Sequence, residues 1–196
     1  MSSLRYLTDF ADQAVMLPLA VVVGVAMLAA GWSRGALAWA AVIGGMLALM
    51  LVLKLWAGTC GAILFGDQLQ SPSGHTASAA AIYGGGLALL LRRALPRVPV
   101  AFLCAATLAA LVGATRVILG AHSVLEVVIG GGVGVAAAVL LVHAAGPVPS
   151  RMRSLPAAGA VLATLVVFHG LHMPAEAAIR KVRLTWLPFG MCHTGS

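Results

Sequence analysis

Charged residues are scarce. They make up 9% of the 196 residues, and only 5 are acidic. A soluble domain carries roughly 25% charged residues, so this chain cannot cover itself with polar surface, and water is excluded as its main solvent. Cysteine is also sparse: Cys60, Cys104 and Cys192 show no CxxC or other metal-ligand spacing. Cys104, inside an apolar run, reads as a small core residue. The net charge of +7 comes without a basic stripe or an interleaved aromatic platform, which argues against a nucleic-acid partner. Arg and Lys are instead scattered between apolar runs, as in loops that flank membrane spans. A separate targeting segment is also missing. Arg5, Asp9 and Asp12, rather than a basic stretch, precede the first apolar run, which is expected to stay as the first span. No His, Asp or Glu cluster outside the polar segments described below has ligand spacing, so neither a metal nor another cofactor is expected.

What is present is apolar sequence in long runs. Hydrophobic residues make up 61% of the chain, and its mean hydropathy is +1.04. Crossing the hydrocarbon takes about 20 apolar residues. Six stretches come close, at approximately 14–33, 35–56, 76–95, 98–119, 123–145 and 154–172. The runs are too continuous for barrel strands, and in lipid only helices or closed barrels satisfy the backbone. The expected fold is therefore all-α, an integral membrane bundle of about six transmembrane helices. A single domain over 1–196 is expected, with the motif-bearing core at about 50–135 and an interfacial tail at about 173–196. The Gly clusters at 84–86 and 130–134 read as close helix packing.

Orientation follows from the basic residues. Arg34, then Arg92, Arg93 and Arg97, then Arg151 and Arg153 sit in the turns after the first, third and fifth stretches, whereas 58–75 holds no Arg or Lys. Those turns are expected in the cytoplasm. The 58–75 segment, the 116–122 turn and both termini then face outward. Cys60 and Cys192 fall on that oxidising side, where a disulfide and two free thiols are both open.

Two segments hold polar residues that a structural membrane protein does not need: Ser71-Pro72-Ser73-Gly74-His75-Thr76, and residues 115–126 between the fourth and fifth stretches. Ionisable groups at membrane depth are costly and are functional candidates. His122 and Glu126 are four apart and share a helix face. The carboxylate can fix one imidazole nitrogen and leave the other as a nucleophile. Arg116 offers a planar cation to two phosphate oxygens. Ser73-Gly74-His75 opens a helix whose N–H groups favour an anion, and His75 can protonate a leaving oxygen. Together these groups make a phosphoryl-transfer site. His143, His169, His172 and His193 read as interfacial residues without a role.

Pro72-Ser73-Gly74-His75 is similar to the second motif, PSGH, of the type 2 phosphatidic acid phosphatase (PAP2) family. Residues 115–126 resemble its third, SRxxxxxHxxxD, with the same intervals from Arg116 to His122 and on to Glu126. The resemblance covers roughly residues 50–135. It implies a six-helix membrane bundle and a metal-independent lipid phosphatase. In it His122 forms a phosphohistidine, His75 is the general acid and Glu126 orients His122. Arg116, Ser73 and Gly74 hold the phosphoryl oxygens. It further implies a cell (inner) membrane location, an active site facing the periplasm or outside, and a lipid phosphate or pyrophosphate as substrate among membrane lipids. A lipid-to-lipid phosphotransferase and a non-catalytic lipid-phosphate binder or transporter are the alternatives.

The chain departs from the family at three places. Glu126 replaces Asp, and Thr115 replaces Ser. In the first motif, KxxxxxxRP, Lys54 fits the Lys, but Gly61-Ala62 stands at the Arg-Pro. Lys54 thus reads either as a phosphate-binding residue or as a snorkelling lysine. The tail cations Arg180, Lys181 and Arg183 are expected to replace the missing Arg or to rest on anionic lipid. The oligomeric state is not legible.

Overall fold

The computed structural model describes residues 2–91, 97–149 and 154–186. Among them it is helical, without strands. The order is α1 (Ser2–Asp9), α2 (Gln13–Ala29), α3 (Ser33–Trp56), α4 (Ala62–Phe65), α5 (Gly74–Ser78), α6 (Gly85–Leu91), α7 (Arg97–Ile118), α8 (Val124–Ala144), α9 (Ser154–Phe168) and α10 (Ala175–Trp186). Each apolar stretch read from the sequence meets one of these helices or a run of them. By length and composition, 4 described segments can cross a membrane: Leu4–Ala29, Ser33–Gly61, Val98–Ile118 and Val124–Ala144. The other two stretches differ for physical reasons. Residues 74–91 form one helical run interrupted by a π-helical segment at Ala79–Gly84, and α9 has only 15 residues.

The 58–75 segment is more helical than its glycines suggest. A π-helical segment, Ala57–Gly61, continues α3, and α4 and a 3₁₀ turn at Gly66–Gln68 follow. Single π turns commonly mark functional positions in helices.

Small residues let the helices approach closely. Ala77, Ala80, Ala105 and Ala138 are fully buried where α5, the π segment, α7 and α8 meet. Gly130 on α8 is required by such an approach, since a Cβ there would run into the Ser73 carbonyl oxygen. Between α7 and α8 the chain reverses at Gly120, whose φ of 66° favours glycine.

The connections sort to two ends. At one, Trp32 Nε1 donates to the Ala145 carbonyl at 3.0 Å and Arg34 Nε to that of Ala144 at 3.2 Å. The turns after the first and fifth stretches are thereby joined, as the orientation argument requires. Residues 92–96 and 150–153, with the side chains of Arg97, Arg151 and Arg153, lie outside the described ones. The other end gathers residues 68–76, 116–126, Asp12 and the start of α10.

Candidate active site

Glu126 organises this end. It occupies the N3 position of α8 in a capping box. Ser123 Oγ accepts from the Glu126 N–H, and Glu126 Oε2 accepts from the Ser123 N–H. The same oxygen lies 2.9 Å from His122 Nδ1. Oε1 accepts from the N–H groups of Gln70 and Ser71 at 2.8 and 2.6 Å. One carboxylate therefore joins the two polar segments. A further bond, from Ser73 N–H to the Glu126 carbonyl at 3.0 Å, holds the segments in register.

His122 is held at both ends of its residue. Its backbone N–H and that of Ala121 donate to the Arg116 carbonyl at 3.3 and 2.9 Å, closing the turn beside Arg116. Its side chain is 6% exposed. Burial lowers its pKa, with the Arg116 and Lys54 charges adding to the effect and the Glu126 contact opposing it. The ring is thus neutral at ordinary pH, with Nδ1 engaged and Nε2 available. Arg116 ends α7, and its Nε is buried without a hydrogen-bond partner among the described residues. Such a donor suits an anion.

Ser73 caps the run that begins at Gly74. Its hydroxyl is fully buried and accepts from Thr76 N–H at 3.4 Å and Thr76 Oγ1 at 2.9 Å. His75 Nε2 faces Asp12 Oδ2 at 3.7 Å. Asp12 Oδ1 accepts from the N–H groups of Ala14 and Met173 at 2.8 and 3.0 Å, tying α2 to the segment before α10. Lys54 is 7% exposed. Its Nζ donates to Ser71 Oγ at 3.0 Å and pairs with Glu176. A cavity of about 260 Å³ touches Lys54, Gly74, His75, Asp12 and Glu176; Gln13 and Ser78 also line it, and most of the remaining wall is apolar, including Leu17, Leu47, Met50, Leu51 and Ile179.

All seven residues singled out in the sequence lie at this end, but direct contacts link only some of them: His75 shares the cavity with Lys54 and Gly74, and the Arg116 Nε has no hydrogen-bond partner among the described residues. Lys54, His122 and Glu126 meet through Ser71 and Glu176. His75 meets Asp12, while Ser73 and Gly74 lie between α8 and Lys54. Sequence reasoning missed Asp12, Ser71 and Glu176. Asp12 carried a signal as an acid flanking an apolar run, and Glu176 as the acid of the tail helix. Ser123-Val124-Leu125-Glu126 has the spacing of a capping box. Of the tail cations, Arg180 is exposed, and the Arg183 side chain lies outside the described residues. Cys192 and His193 also lie outside them, so the pairing of Cys60 with Cys192 falls there, while Cys104 is free. His169 stacks on Tyr6 and Phe10, and His172 meets Asp9 at 3.1 Å. No group of three or more metal-ligating side chains occurs among the described residues.

Residues 54–148 match the family model of the PAP2 superfamily. No curated protein and no solved structure matches the chain.

Proposed function

Since this chain belongs to the PAP2 superfamily, we propose that it is a metal-independent lipid phosphate phosphatase. It would sit in the cell (inner) membrane as a bundle of about six spans, with its site at the outer face. The observation that carries this reading is the His122 Nδ1 to Glu126 Oε2 contact of 2.9 Å. It orients a neutral imidazole near Arg116, whose charge acts on the ring and whose Nε is buried.

The reaction proceeds in two transfers. His122 Nε2 attacks phosphorus, a P–N bond forms and the P–O bond to the lipid breaks. His75 gives its proton to the departing oxygen. Water then attacks the phosphohistidine, loses its proton to His75 and releases inorganic phosphate, returning His122 to its neutral state. Arg116, Lys54, Ser73 and the Gly74 N–H stabilise the equatorial oxygens through both steps. The cavity supports a lipid substrate. It meets the charged residues at His75, the leaving-group side, and its other walls are mostly apolar, with Gln13 and Ser78 among them.

Purified chain in detergent, offered phosphatidic acid, polyprenyl pyrophosphate and other lipid phosphates in EDTA, is expected to release inorganic phosphate from at least one. Loss of release in EDTA with recovery on adding Mg²⁺ or Zn²⁺ would overturn the metal-independent reading. Absence of release from every substrate would favour a binder.

A further inference from the structure

Lys54 meets a carboxylate where the proposed reaction needs a phosphate. Glu176, in the first turn of α10, pairs with Lys54 Nζ through one oxygen and accepts from Ser71 Oγ at 3.0 Å through the other. Those partners belong to the phosphate-binding surroundings. Lys54 lies beside Gly74, and the Ser71 N–H is fixed by Glu126. Lys54 acts electrostatically on His122, and His122 on Glu176. Although burial opposes it, the Lys54 charge, with hydrogen bonds from Lys54 and Ser71, holds the Glu176 carboxyl below its usual range, so it is charged at neutral pH.

A helix N-terminus favours an acid in its first turn, but that alone does not bring the acid to a buried lysine. Lys54 is 7% exposed and Glu176 is 53% exposed. The lysine is fixed in the bundle, and the acid reaches it from outside on a helix that packs against α3 and the 57–61 turn. The segment leading to α10 is anchored by Met173 N–H on Asp12 and by His172 on Asp9. Glu176 can therefore swing aside while its helix stays attached.

We propose that Glu176 is a specificity-determining residue that occupies the phosphate position in the resting protein and must be displaced from Lys54 and Ser71 by the substrate's phosphoryl group. This rests on the phosphatase reading for the identity of the incoming anion. A carboxylate carries one charge and a phosphate monoester nearly two. The competition thus admits terminal phosphates and diphosphates and rejects phosphodiesters, which carry a single charge and are abundant in a membrane.

Calorimetric titration of the full chain in detergent with inorganic phosphate tests this without turnover. Glu176→Gln is expected to bind phosphate about tenfold tighter than wild type, a gain of about 1.4 kcal/mol. In a Lys54→Gln background the same change should give no gain. Equal or weaker binding by Glu176→Gln would overturn the proposal. So would a gain that persists without Lys54, because opening of the site by a loosened helix would then explain it. Phosphate release from lipid phosphates by the same wild-type sample reports separately on the phosphatase reading. A chain that shows the binding pattern but releases no phosphate contradicts that reading alone.

Discussion

At the residue scale, burial sets the charge state of His122, and Glu126 orients the ring while opposing the shift. In the proposed mechanism His122 must be neutral to attack. Burial pushes its pKa down, and Glu126 opposes that shift. Activity should therefore be present above the folded pKa of His122 and be lost as pH falls through it, on an acid limb below the ordinary imidazole value near 6.5. Glu126→Gln keeps an acceptor but removes the negative charge. Its limb should move to still lower pH, while turnover falls on the order of 10²-fold through lost orientation. A pH profile of kcat/KM checks both, and an acid limb that moves upward would contradict the assigned electrostatics. The identities of His122, Glu126, Arg116 and His75 were legible because ionisable groups stand out in apolar sequence. The Glu176 contact was not, since it joins residues 122 apart and no local pattern records it.

At the scale of elements, the site depends on the closeness of α8 to the start of α5. Gly130 and Gly132 make a controlled pair. A methyl group at Gly130 meets the Ser73 carbonyl, whereas one at Gly132 meets nothing within 4 Å. Gly130→Ala should cost about 1–3 kcal/mol by overpacking and lower activity by shifting Ser73. Gly132→Ala should be neutral or slightly stabilising, since alanine is the better helix former. Thermal unfolding of both variants in detergent, alongside phosphate release, distinguishes them. Equal effects would mean that the α8 contact does not position Ser73. The sequence marked the 130–134 cluster as packing, but it did not say which glycine meets which neighbour. That depends on how helices 50 residues apart are rotated. The helical run at 74–91 was legible from hydrophobicity. Its π segment was not, because a local change in helix winding leaves composition untouched.

At the scale of the whole molecule, the two ends of the bundle differ in chemistry. One carries the Trp32 and Arg34 bonds to the end of α8, and the other carries the candidate site. On the proposed orientation, the Arg-rich turns lie with the first end in the cytoplasm. Gln68→Cys should then react with an impermeant thiol reagent in intact cells, and Ala94→Cys should not, each in a background without native cysteines. The reverse pattern would invert the orientation and put the site inside the cell. The central claim, that His122 carries the phosphoryl group, is tested most directly by trapping. Full-length protein in detergent is mixed with a lipid phosphate labelled with radioactive phosphorus, denatured in alkali within one turnover and digested. The account predicts an alkali-stable, acid-labile label on the peptide containing His122, absent in His122→Ala together with phosphate release. Label on another residue, or full phosphate release by His122→Ala, would contradict it.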